Sequence, residues 1–257
     1  MPTVEELSSR FAALCVPVPS HGPGVCKVCH AWCPPGRSMC PGCACVLTQV
    51  TRPCHRVLPV TLCGGRSRLH RCLRAYKDDP EPEARWGGAV VVAALLARFL
   101  HDHRTCVAGD HRAWDFLTTV PSSEGRRGAH PLERAVALVP WLSHRHLPAL
   151  EPGPAALAHR VARDGGFRLV VPVTGARVVV VDDVFATGAR AQSAASALTL
   201  GGATVVAVVP LARIVAGPGA PAFETRAWQA WSRQQPFRFD TCCAHSPDVP
   251  PARNFGA

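Results

Sequence analysis

Two adjacent carboxylates, Asp182 and Asp183, close a run of four valines at residues 178–181, and a small-residue loop, Ala186, Thr187, Gly188, Ala189 and Arg190, follows closely. An unbroken β-branched run without polar alternation describes a strand buried on both faces, which belongs to a parallel sheet covered by helices. The acids then sit at the carboxyl end of that strand, where ligands of such sheets bind. Gly188 can supply a positive φ, and from about Ala189 the chain turns helical, with Ala191, Ala194, Ala195 and Leu198 on one face. A strand, a tight loop and a helix amino end form an anion pocket, because unpaired N–H groups and the helix dipole converge there. Carboxylates beside a phosphate would repel it. Asp182 and Asp183 therefore need another task, either accepting hydrogen bonds from sugar hydroxyls or orienting a hydrated magnesium ion. The ligand that fits this chemistry is a sugar phosphate with free hydroxyls. The blander reading is a doubly wound domain whose acids merely end a strand.

A second set of chemical residues lies near the amino end. Cys26 and Cys29 form one Cys-x-x-Cys pair and Cys40 and Cys43 another, ten residues apart. Each pair can present two thiolates to one tetrahedral metal, and two pairs close a structural zinc site with no open position. Pro34, Pro35, Gly36, Pro41 and Gly42 suit a ribbon too small to bury its own core, for which the metal would supply folding energy. Cys33, Cys45, Cys54 and His30 are spare ligands, and Cys33 could compete for the set. Near the other end, Cys242, Cys243 and His245 are either buried thiols, a partial metal set, or residues that close on the ribbon.

The stretch from the valine run to Arg190 resembles the signature of type I phosphoribosyltransferases that binds 5-phosphoribosyl 1-pyrophosphate (PRPP): a hydrophobic strand, two acids, two variable residues and a Thr-Gly turn. The resemblance implies that Asp182 and Asp183 face the ribose hydroxyls and that Ala186 to Arg190 cradle the 5′-phosphate. Two positions depart from the pattern. Ala186 replaces a residue that is often Thr, Ser or Asp, and Arg190 stands where a phosphate-binding Thr or Ser is usual. Arg190 either binds phosphate by charge or points outward. A cysteine ribbon, a helix ending in Tyr76 and Lys77, and such a core together resemble the ComF family of competence-type phosphoribosyltransferases, from about Cys26 to Val215. That family's pyrophosphate loop follows the first sheet strand, which implies Arg126 and Arg127 as contacts for the leaving group. Related enzymes carry a hood over PRPP, matched here by residues 147–166, where Arg160 and Arg163 are further candidates. The implied reaction transfers the phosphoribosyl group from PRPP, bound with magnesium, to a nitrogen acceptor. The competing implication is a PRPP-sensing protein of DNA processing. Single- or double-stranded DNA and a homodimer are the further partners left open.

The elements that must position these residues follow from pattern and length. A chain of 257 residues holds one sizeable core plus an appendage. The expected fold is α/β, a type I phosphoribosyltransferase-like parallel sheet flanked by helices. Residues 1–62 form an amino-terminal helix and zinc ribbon, 63–215 the α/β domain, and 216–257 a terminal helix and tail. Residues 4–15, 66–76, 81–103, 131–146 and 223–234 read as helices, with Pro140 kinking or ending the fourth. Residues 81–103 are apolar on nearly every side in their middle, as a core helix is, and the imidazoles of His101 and His103 read as a helix end rather than a metal site. Lys77 reads as a solvated helix end. Residues 115–121 look like the first sheet strand, and 53–61 like a strand or an extended linker. Residues 167–173 and 177–181 look like a hairpin, and the sheet looks complete after Val209.

The bulk numbers exclude some classes. A net charge of +10, with 28 Lys and Arg against 18 Asp and Glu, attracts phosphates without choosing among PRPP, pyrophosphate and nucleic acid. The longest apolar run, residues 89–97, is well short of the roughly 18–20 residues that span a bilayer, so no membrane helix is expected. The acidic, amphipathic start does not read as a secretory signal, which with thirteen cysteines points to reduced thiols and a cytoplasmic protein. No Gly-Lys dipeptide occurs, which excludes a P-loop nucleotide hydrolase, and no G-x-G-x-x-G follows a strand.

Overall fold

A computed structural model describes residues 2–122, 130–234 and 236–244. In chain order its elements are α1 (Val4–Phe11), α2 (Pro41–Val46), β1 (Thr61–Gly64), α3 (Arg68–Asp78), α4 (Pro82–Asp102), α5 (Arg104–Ala108), β2 (Phe116–Thr119), α6 (Pro131–Ala137), α7 (Pro140–Arg145), β3 (Leu150–Pro152), β4 (Phe167–Leu169), β5 (Arg177–Phe185), α8 (Ala189–Leu200), β6 (Thr204–Val215) and α9 (Ala222–Gln234). Four strands form one parallel sheet in the order β1-β6-β5-β2. The expected α/β class holds.

The valine run is central because both faces of β5 are covered. Val179 and Val181 join a core with Val92, Leu95, Leu96 and Leu100 of α4. Val178 and Val180 face the other way, into a core with Ala191, Ala194 and Leu198 of α8. All four valines are fully inaccessible, and burying a side chain of that size contributes about 1.5–3 kcal/mol. Helix α4 is long and apolar enough by composition to cross a bilayer. Its length belongs to the core instead, where it packs on α1, α3 and α6.

Two local expectations need correction. Residues 167–173 do not pair with β5; β4 pairs antiparallel with β3, making a separate two-stranded sheet over residues 150–169. Strand β6 continues past Val209 to Val215, and its last residues pair with β1, so the sheet is not complete at Val209. The 53–61 stretch is extended as expected, bridging Val57 to Val208 in parallel, and it runs into the edge strand β1 at Thr61–Gly64. Pro210 sits within β6 opposite Asp182, and its carbonyl accepts from the Val60 amide at 3.0 Å, so the strand keeps a partner where proline removes a donor. The 131–146 stretch is two helices, α6 and α7, divided at Pro140, which starts the second.

Candidate functional site

Strand β5 carries Asp182 and Asp183 to the upper edge of the sheet, and the loop to α8 turns at Gly188 with φ +84°. Only glycine serves there, since a Cβ would lie 2.2 Å from Phe185 Cζ. Gly188→Ala is expected to lower stability by about 2 kcal/mol or more, the cost of a left-handed non-glycine residue plus the clash. A urea midpoint equal to wild type would contradict this. The acids, the loop residues Ala186, Thr187, Gly188, Ala189 and Arg190, and Lys77 line one cavity of about 420 Å³. His159, Ser122 and His130 line it as well.

The two acids differ. Asp183 is 3% exposed and falls on the α4 side of the sheet, where it accepts a hydrogen bond from the Tyr76 hydroxyl and an ion pair from Lys77 Nζ at 2.6 Å. Burial pushes its carboxyl up to about 7, against the pull of the Arg190 guanidinium. Asp182 is half-buried and accepts from the Asp183 amide at 2.9 Å. Burial raises its carboxyl as well, with Arg190 and then Lys77 opposing. Asp182 is thus the more open carboxylate. Arg190 also lies on the cavity, and its guanidinium donates to the Pro121 carbonyl at the end of the β2 segment.

Lys77 was not legible as a site residue. Leu69, Leu73 and Tyr76 form the buried stripe of α3, which turns the helix end inward and places Lys77 at the cavity rather than in solvent. Arg126 and Arg127 lie outside the described residues. Arg160 and Arg163 are not on the cavity wall, and the Arg163 amide donates to Ser193 Oγ at 2.9 Å.

The four cysteines of the paired motif come together. The Sγ atoms of Cys26, Cys29, Cys40 and Cys43 lie within 4.8 Å of one another, and Cys29 and Cys40 are 3.6 Å apart. Four thiolates at tetrahedral bond lengths near 2.3 Å are separated by about 3.8 Å, so the cluster could hold a metal ion. All four are at most 3% exposed and share a core with Phe185 and Leu62. Cys40 caps the start of α2, its sulfur accepting from the Cys43 amide at 3.5 Å. The spare ligands fall away. His30 Nδ1 contacts the Pro19 carbonyl at 2.9 Å, with burial first driving its pKa down to about 4. Cys45 is exposed, and the Cys54 thiol donates to the Arg56 carbonyl at 3.4 Å. Cys33 borders the cluster as a thiol that burial first raises to about 12.

Sequence reasoning missed Arg213. It sits on β6, 5% exposed, between the cysteine cluster and the loop. Its Nε lies 3.2 Å from Cys29 Sγ, and one terminal nitrogen donates to the carbonyls of Phe185 at 3.1 Å and Ala186 at 2.6 Å. Burial disfavours the guanidinium, but the sulfurs of Cys29 and Cys40 outweigh it and keep it charged. A cation within an apolar strand, between Ala212 and Ile214, is the signal that could have found it, since arginine is almost never buried unpaired. Gly42 adds a second junction, its Cβ direction 3.6 Å from the Thr187 carbonyl. The cluster therefore lies directly under the loop that lines the cavity.

No protein-family model matches the chain. An adenine phosphoribosyltransferase of Kineococcus radiotolerans is 36% identical over 134 residues, which cover 52% of this chain and 67% of the relative. With the parallel sheet and the acid-loop-helix cavity in place, that relationship settles the family: the chain belongs to the phosphoribosyltransferases.

Proposed function

We propose that the cavity binds PRPP and that the protein transfers its phosphoribosyl group to a nitrogen acceptor with release of pyrophosphate. The observation that supports this most is the convergence of an open carboxylate, a lysine and a glycine-centred loop at a helix amino end on one cavity. Residues 186–190 take the 5′-phosphate through backbone N–H groups. Asp182 accepts from the ribose hydroxyls, while Asp183 holds Lys77 against the cavity. As the bond from the anomeric carbon to pyrophosphate breaks, its electron pair leaves with the pyrophosphate and a carbon–nitrogen bond forms. The carboxylates stabilise the positive charge that develops on the sugar. Arg126 and Arg127 are kept as pyrophosphate contacts.

The carboxylate donor set suits magnesium, which binds through one or two carboxylates plus substrate phosphates. Bound with PRPP, it supplies neutralisation of the leaving group. Four sulfurs at tetrahedral spacing suit zinc in a closed, structural site. A cysteine cluster against a phosphoribosyltransferase loop supports the competence-type branch of the family, in a cytoplasm that keeps the remaining thiols reduced.

The raised Asp183 carboxyl gives a pH signature. Its protonated form predominates below about 7 and cannot hold Lys77 as an ion pair. Between pH 8 and 6 the ionised fraction falls about tenfold, and PRPP affinity is expected to fall with it. In Asp183→Asn this component of the pH dependence should be lost. Parallel curves for the two proteins would contradict the role of Asp183.

Pyrophosphate release from PRPP with a panel of nitrogenous bases tests the transfer. Turnover with any base supports the enzyme. PRPP binding without turnover, together with salt-dependent DNA binding, supports the second reading, a PRPP-responsive protein of DNA processing. That reading is favoured by Arg190, whose guanidinium is engaged by the Pro121 carbonyl.

A further inference from the structure

A second set of metal-ligating atoms lies away from the cavity and from the four-cysteine cluster. His103 ends α4, Cys106 lies three residues on in α5, and Cys242 comes from the segment after α9. Spacing of three on a helical turn puts two side chains on one face, and Cys106 Sγ is 3.9 Å from His103 Nδ1. The Cys242 sulfur completes a group whose three ligand atoms all lie within 4.8 Å of one another.

The imidazole is oriented for this task. His103 is 2% exposed, and its Nε2 lies 2.8 Å from the Phe239 carbonyl. A carbonyl only accepts, so Nε2 carries the ring proton and Nδ1 turns its lone pair toward the thiols. A backbone carbonyl that fixes the far nitrogen of a histidine is the usual outer support of a metal ligand. Phe239 belongs to the same segment as Cys242, so one stretch of chain supplies both a ligand and that support. The stretch is well seated. The Arg98 guanidinium lies 5.0 Å from the Phe239 ring centroid, the Phe237 and Phe239 rings meet edge to face at 4.9 Å, and Cys243 is 1% exposed.

We propose that His103 Nδ1, Cys106 Sγ and Cys242 Sγ bind a second zinc-class divalent cation, which fastens the segment 236–244 to the junction of α4 and α5. Two thiolates and an imidazole suit a borderline-soft tetrahedral ion, and these three ligands, counted among the described residues, leave a fourth position to be filled. Binding displaces the two thiol protons to solvent and involves no change of oxidation state. The alternative occupant of the same geometry is a disulfide between Cys106 and Cys242.

The test is zinc and cobalt(II) stoichiometry on the full chain purified under reducing conditions. Wild type should hold one equivalent more than Cys242→Ser or Cys106→Ser, and Cys243→Ser, which removes a buried neighbour outside the set, should match wild type. Should a serine variant fail to fold, iodoacetamide labelling of native wild type decides. Cys106 and Cys242 should be protected at saturating zinc and alkylated in folded protein that carries a single equivalent of metal. Equal metal content in wild type and Cys242→Ser, labelling that zinc does not slow, or a Cys106–Cys242 disulfide in the reduced preparation would each overturn the proposal.

Discussion

Replacing Cys29 or Cys43 by serine is expected to remove cooperative unfolding of the wild-type kind and to cost one equivalent of bound metal. Both sulfurs are fully or almost fully buried within a core that includes Phe185, Leu62 and Val215. A structural zinc contributes about 10–16 kcal/mol of apparent folding free energy, against about 5–15 kcal/mol of net stability for a whole protein. Losing the proposed zinc would exceed what the rest of the fold can offset. The damage should not stay local, because Arg213 connects Cys29 to Ala186. Chelator should reproduce the serine variants, with zinc restoring the transition. A urea midpoint for Cys29→Ser equal to wild type would show that the cluster carries no metal energy.

Arg213→Met is expected to cost about 3–5 kcal/mol, the usual penalty for breaking a buried charge network by removing one partner. The methionine keeps the apolar stem over the Phe185 ring, which the guanidinium carbon now approaches to 5.5 Å. It removes the donors that reach Cys29 and the carbonyls of Phe185 and Ala186. Those carbonyls begin the loop proposed to take the 5′-phosphate, so PRPP affinity should fall together with stability. Arg213→Lys should recover little, because an ammonium cannot span a sulfur and two carbonyls as the planar fork does. A Met variant within about 0.5 kcal/mol of wild type, measured by urea unfolding, would contradict this role.

What the sequence disclosed is what short spacing encodes. The valine run, the adjacent acids and the Gly188 turn lie within about a dozen residues, and the paired Cys-x-x-Cys motifs within eighteen. Their local geometry is set by backbone preference and by the tight spacing of each cysteine pair. Residues brought in from afar were hidden. Lys77 meets Asp183 only because the stripe Leu69, Leu73 and Tyr76 turns α3 against the sheet, a packing outcome that its basic composition masked. Arg213 lies in β6, beyond the point where the sheet looked complete, since Pro210 reads as a strand breaker. Residues 167–173 read as a hairpin with 177–181 because adjacency in sequence favours hairpins, whereas β4 pairs with β3 and the parallel sheet places the neighbours of β5 by crossovers. His103 read as a helix end for the same reason. Its partner Cys242 is more than a hundred residues away.

The central claim, that this cavity holds PRPP by a loop for its phosphate and a carboxylate for its sugar, is tested most directly by calorimetry with PRPP and magnesium. The comparison is between wild type and Asp182→Asn, with Asp183→Asn alongside. Asp182→Asn should weaken binding at least tenfold at pH 8, the loss of about 1.4 kcal/mol or more in hydrogen bonds to a charged acceptor. Equal affinity in wild type and both variants, or no heat from any of the three, would contradict the assignment of the site.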